Sequence, residues 1–172
     1  EALLGQFKRY SSLEKAGKYV EALPFAQKAL ALSEQELGEG HKTTSILLYN
    51  VADLYRRLGK YRAAKPLFER SLANWERLHG KNDPSLERYL VRLGYVSRFA
   101  ADYQSAEHYY KRFQKLVESY DPPKPEKIST ALNNLAGLYR ELGRYHDAEP
   151  LYLKAIELTK SNLPKQRKSL AI

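Results

Sequence analysis

The chain repeats itself every 42 residues, and this period constrains its fold more than any other feature. At that offset Tyr19, Tyr61, Tyr103 and Tyr145 align, and so do Ala22, Ala64, Ala106 and Ala148. Gly17, Gly59, Ala101 and Gly143 make a third column, Pro24, Pro66, His108 and Pro150 a fourth, and Leu30, Leu72, Gln114 and Ile156 a fifth. Four such units account for nearly all of the 172 residues. A unit this short buries its apolar face by stacking on copies of itself, so the expected architecture is an array. The units are expected at about 1–42, 43–84, 85–126 and 127–164, with 165–172 starting a fifth.

Each unit reads as two helices. Leu132, Leu135, Ala136, Tyr139 and Leu142 fall on one face at helical spacing. One and two periods earlier the same face is Leu90, Leu93, Gly94, Ser97 and Ala100, where small residues thin the stripe, and Leu48, Val51, Ala52, Tyr55 and Leu58. A second helix follows the glycine column and carries Tyr145, Ala148, Leu151, Tyr152, Ala155 and Ile156 inward. We call the two helices A and B. The glycines stand where a helix stops and the backbone needs a left-handed residue; Ala101 departs from that rule. Asp83 before Pro84 supplies a cap and a first-turn proline for helix A of the third unit. Pro24, Pro66 and Pro150 are expected near the start of helix B, where a missing N–H costs least. In the first unit Gln6, Arg9 and Ser12 occupy apolar columns, so a two-residue shift that brings Leu4, Phe7 and Tyr10 into the stripe is expected there, as in a modified end repeat.

With 43% hydrophobic and 28% charged residues the chain reads as folded. It contains no cysteine, which removes disulfides, thiolate metal sites and a cysteine nucleophile. Its apolar runs are too short to span a membrane, so no membrane insertion is expected. Absence of cysteine suits cytosol, periplasm or the outside alike; the cytoplasm is the first expectation, with a removed signal peptide as the alternative. The chain has no Met, and Glu1 reads as the start of an excised or processed piece. The net charge of +9 favours acidic partners by long-range attraction. In blocks ending at Lys42, Pro84, Glu126 and Ile172 the surplus is 0, +4, +1 and +4, so it belongs to the repeats and not to a tail.

The run from Leu132 to Tyr145, LNNLAGLYRELGRY, followed by Ala148, Glu149, Pro150, Leu151 and Tyr152, resembles a tetratricopeptide repeat (TPR) of the kinesin light chain type. The usual repeat has about 34 residues; here helix B and the connecting loop are longer, as at Leu37 to His41 and His79 to Pro84. The resemblance covers the whole chain and is weakest in the first helix A. It implies an all-α helix-turn-helix solenoid, a right-handed superhelix whose A helices line a concave groove. It further implies a non-enzymatic scaffold whose groove captures a protein or peptide partner.

The helix A face opposite the buried stripe shows what such a groove would be made of. In the second unit it presents Tyr49, Asn50, Asp53, Arg56 and Arg57; in the third Arg88, Val91, Arg92, Tyr95, Arg98 and Phe99; and in the fourth Asn133, Asn134, Gly137, Arg140 and Glu141. Arg56, Arg98 and Arg140 lie one period apart and would form a ladder for an acidic segment, since guanidinium groups fork onto carboxylates and stack on rings. Tyr49, Tyr95 and Phe99 would supply an apolar pocket for a bulky side chain. Asn50 and Asn134 share a column and could hold a peptide backbone, a role the resemblance supports. The alternative is structural: arginines paired with acids of neighbouring units, and amides bonded to neighbouring helices. The clamp of Lys and Asn by which some TPR proteins hold a terminal carboxylate is not assembled, since its column pairs carry Tyr49 and Asp53, Val91 and Tyr95, and Asn133 and Gly137.

No catalytic group, cofactor or metal site is expected. His41, His79, His108 and His146 fall in loops or on the outer side of helix B, without the spacing of a helical metal pair. The run Gly38 to Thr43 lacks the GxxxxGK[ST] spacing of a phosphate loop. Trp75 reads as packing against the next unit. The rival functional readings are nucleic-acid binding through the basic surface and the 14 tyrosines, and a purely structural or self-associating scaffold. Oligomeric state is open.

Overall fold

The computed structural model describes residues 1–169, with side chains through Ser161. Eight α-helices and one 3-10 turn make up the described residues, with no strand among them. They are α1 (Ala2–Lys15), α2 (Tyr19–Leu37), α3 (Lys42–Arg57), α4 (Tyr61–His79), the turn Pro84–Leu86, α5 (Glu87–Phe99), α6 (Tyr103–Glu118), α7 (Pro125–Glu141) and α8 (Tyr145–Ser169). Odd-numbered helices are the expected A helices and even-numbered ones the B helices. Two compact units contain them, Glu1–Ala101 and Asp102–Ile172. The boundary falls inside the third repeat, at the turn where Ala101 stands in the glycine column.

In the first unit α2 packs on α1 and α3, and α4 on α3 and α5. Ala22, Ala26 and Ala29 let α2 approach its neighbours, and Tyr10, Leu30, Leu47, Leu48, Val51 and Leu54 complete that core. Further along, Phe68 and Tyr89 are fully buried, and the Trp75 indole N–H donates to the Ser85 hydroxyl with its ring 5.8 Å from that of Tyr89. Trp75 therefore packs helix B of the second repeat against the start of the third, as expected. In the second unit α7 packs on α6 and α8 around Ala106, Tyr110, Leu135, Ala136, Leu138, Tyr139 and Ala148. Buried hydroxyls recur at matching places in both units. Ser71 donates to the Ser45 carbonyl at 2.6 Å; two periods later the same two columns hold Ala155 and Ser129, and there Ser129 donates to the Ala155 carbonyl at 3.1 Å.

The turns explain the glycine column. Gly59 has φ 72°, and the next residue, Lys60, sends its N–H back to the Tyr55 carbonyl at 2.8 Å, closing the helix end. Gly17 and Gly143 repeat this, with Lys18 bonded to Leu13 and Arg144 to Tyr139. Ala101 adopts the same left-handed conformation, φ 63°, with a side chain attached. Asp83 accepts from the Ser85 N–H at 2.9 Å, and Pro84 opens the 3-10 turn that leads into α5.

Three details differ from the sequence expectation. α1 does not shift: Gly17 fixes its end in the common register, Tyr10 is buried, Leu3 and Leu13 pack beside it, and Leu4 and Phe7 are exposed. The Tyr10 ring fills the column that holds Ala52 and Ala136 elsewhere, which makes the shift unnecessary. Pro24 and Pro66 lie inside α2 and α4, in the second turn and not the first. The carbonyls that lose a helical partner belong to the exposed Val20 and Arg62. Finally, α8 is described as one helix to Ser169, so 165–169 continue it instead of opening a new one, and 170–172 of that expected start lie outside the described residues.

Candidate peptide-binding face

Of the residues expected to line a groove, Tyr49, Asn50, Arg56 and Arg57 lie on α3, Arg92, Tyr95, Arg98 and Phe99 on α5, and Asn134 and Arg140 on α7 of the second unit. Within the first unit the structure sorts them into three groups.

The first group is centred on Asp53. Arg56 donates from Nε to its Oδ1 at 2.7 Å, Arg57 donates from Nε to its Oδ2 at 2.8 Å, and Arg92 of α5 brings its Nε to 3.5 Å. Arg57 also donates to the Tyr19 hydroxyl at 2.9 Å, which ties the first repeat to the second. Burial alone would raise the Asp53 pKa, but the hydrogen bonds from Arg56 and Arg57 and the charges of Arg56 and Arg92 outweigh it and hold the carboxyl below its usual range. Tyr10 is pushed up to about 12, first by burial and then by the negative charges of Glu14 and Asp53. Three of the expected groove arginines thus share one internal carboxylate.

The second group surrounds Tyr49. Its ring meets Phe68 edge-on at 5.1 Å and Tyr89 at 5.2 Å, and the Arg88 guanidinium lies 4.8 Å from it while donating to the Tyr89 hydroxyl at 2.7 Å. Tyr49 is a packing residue between successive A helices, and it joins this cluster rather than the one formed by Tyr95 and Phe99.

The third group is open to solvent. Tyr95 and Phe99, one turn apart on α5, stack with centroids 4.5 Å apart, and Tyr61 at the start of α4 joins them at 6.0 and 5.1 Å. Arg56 lies 5.8 Å from the Tyr95 ring and Arg98 lies 5.5 Å from that of Phe99, both within cation–π range. Phe99 is 49% exposed. A cleft of about 410 Å³ opens beside these rings, lined by Gly59, Lys60, Tyr61, Arg62, Phe99, Ala100 and Ala101. Tyr61 was not among the expected groove residues: its column marks the register of helix B, and the fold sets that position against the end of the following helix A.

Asn50 and Asn134 are half-buried in their helices, and Arg140 is exposed on α7. The strongest polar cluster of the second unit involves none of the expected residues. Glu107 accepts from the Tyr139 hydroxyl at 2.8 Å and from Arg144 at 3.0 Å and pairs with Lys111. The Lys111 hydrogen bond is the main cause that holds Glu107 below the usual carboxylate range. No helix among the described residues is long and apolar enough to cross a membrane.

Tetratricopeptide repeat family models match residues 11–74 and 47–119, and a further one matches 129–164. No curated protein sequence matches the chain. Among solved structures it is similar to BtubC (BKLC) from P. vanneervenii, with a TM-score of 0.80 and 19% identity over 88% of this chain. It spans 61% of the length of that protein. A Podosopora anserina kinesin light chain protein of nearly identical TPR-like repeats gives a TM-score of 0.79 at 17% identity, covering 93% of this chain and 76% of the other. A MamA RS-1 double mutant gives 0.71 at 17% identity with the same two coverages, 93% and 76%. Matched repeats over most of its length make this chain a member of the tetratricopeptide repeat family, and its helical-hairpin fold is similar to that of the kinesin light chain TPR-like repeats.

Proposed function

We propose that this chain is a non-enzymatic protein-interaction module whose A-helix face binds an acidic partner segment carrying a bulky apolar side chain. Its family supports the coarser part of this reading, because tetratricopeptide repeats serve as scaffolds for protein contacts. The finer part rests chiefly on one observation: half of the Phe99 surface is exposed, in a ring cluster flanked by Arg56 and Arg98. A large apolar side chain left wet beside cations is better matched to a ligand than to packing. The net charge of +9 adds long-range attraction for an acidic segment.

The test is a fluorescence-anisotropy titration with acidic peptides that contain one Trp, with neutral peptides of equal length, and with a single-stranded oligonucleotide, each at low and moderate salt. Saturable micromolar binding that needs both the acids and the Trp supports the reading. Oligonucleotide binding with a steep salt slope and no peptide selectivity would transfer the basic surface to nucleic acid.

A further inference from the structure

Two of the expected binding elements are already occupied. Arg56, Arg57 and Arg92 share Asp53, and the Tyr49 ring is enclosed by Phe68, Tyr89 and Arg88. What remains accessible in the first unit lies at the turn end of the repeats. Lys60 and Arg62 are exposed there and form no ion pair among the described residues. They stand beside Tyr61, Phe99 and Ala101 on one cleft of about 410 Å³, within the size range of ligand-binding clefts.

Ala101 supplies a second, independent sign. Glycine occupies this turn position in the other three repeats, at φ 72° each time, and nothing lies within 4 Å of where a Cβ would sit on any of them. Only the third repeat places a methyl on a left-handed residue, φ 63°, and that residue lines the cleft. A glycine would satisfy the turn without strain, so the methyl has a use other than shaping it. It extends the apolar wall begun by the Phe99 ring.

We propose that this turn-end cleft receives the aromatic side chain of the partner's acidic segment, against Phe99, Tyr61 and Ala101, while a neighbouring carboxylate is held by Lys60 and Arg62. The occupant is a peptide with acids flanking an aromatic residue: two unpaired cations edge an apolar hollow, and charge complementarity selects the acids. This placement rests on the function proposed above and moves the anchor from the A-helix floor to the A–B turns.

The experiment compares binding of the acidic Trp peptide to the wild-type chain and to five variants, Arg92→Glu among them, whose helical content is checked by circular dichroism. Lys60→Glu combined with Arg62→Glu should weaken binding at least 10-fold, and Phe99→Ala about 10-fold. Ala101→Gly, which relieves strain and so remains folded, should weaken it about 3-fold. Lys28→Glu combined with Lys154→Glu makes the same charge change on exposed residues of α2 and α8 and should leave affinity within 2-fold. Binding that survives the Lys60→Glu and Arg62→Glu double and Ala101→Gly but is lost on Phe99→Ala and Arg92→Glu would overturn the cleft and keep the groove reading. Binding unchanged in Phe99→Ala would overturn both. Equal loss in both charge-reversed doubles would overturn the cleft in favour of diffuse attraction. No wild-type binding to any acidic aromatic peptide would overturn the proposed function, and the cleft with it.

Discussion

Helices α3 and α5 occupy the same place in successive repeats, yet they offer a partner different surfaces. On α3 the column residue Asp53 precedes Arg56 by three positions, so the guanidinium is bound within its own helix, and Arg57 and Arg92 join it. On α5 the same column holds Tyr95, and the ring stacks on Phe99 and leaves it half exposed. In α7 the column is Gly137 and Arg140 is exposed. The three arginines that repeat at the period are therefore not equivalent rungs. A period aligns positions, and the residue three places earlier decides what each arginine does.

This contrast can be broken by making α5 resemble α3. Tyr95→Asp would remove the central ring and add negative charge beside Phe99; binding of the acidic Trp peptide should fall more than about 100-fold, near 2.7 kcal/mol. The reverse manipulation acts on stability. Asp53→Asn leaves Arg56, Arg57 and Arg92 clustered without their counter-charge and should cost about 2 kcal/mol, read as a lower midpoint in urea unfolding. Acid sharpens the same point. Because the folded-state pKa of Asp53 is depressed, the stability it adds is fully present above its unfolded value near 4 and is lost as pH falls through the lower folded value. The stability difference between wild type and Asp53→Asn should therefore shrink on acidification and be lost once the pH has fallen through the depressed folded value.

Smaller effects follow at the turn. Ala101→Gly should raise stability by about 0.5–1 kcal/mol, since relief of left-handed strain exceeds the added freedom of the unfolded chain; Gly143→Ala should lower it by about 1 kcal/mol. Phe99→Ala should change stability by no more than about 0.5 kcal/mol, as befits a half-exposed ring, while weakening binding far more. A large stability loss in Phe99→Ala would make the ring a structural residue and remove the distinction between the two helices.

The helical hairpins were legible because the period, the apolar spacing and the glycine turns all describe local geometry, and the Asp83 cap before Pro84 was legible for the same reason. The site was legible only as a face. The columns placed Arg56, Arg92, Tyr95 and Phe99 on the outer side of helix A, but which side chains meet depends on packing between helices that no single column records. By its column Asp53 looks like one more groove residue, although its position three before Arg56 and four before Arg57 carries the pairing signal. Tyr61 is hidden by its regularity: a tyrosine found in every repeat looks like a register mark, and beside α5 this one becomes part of a cleft. The expected shift of α1 failed for a related reason. Counting apolar residues favoured Leu4 and Phe7, whereas Gly17 fixes where the helix ends and so which residues turn inward.

Amide chemical-shift changes of the isotope-labelled chain on titration with the acidic Trp peptide would locate the bound segment residue by residue. Changes concentrated at 59–62 and 95–101, saturating together at one affinity, are the predicted result. Changes centred on the exposed apolar residues Leu153 and Ile156 of α8, or spread evenly over all four repeats, would contradict it.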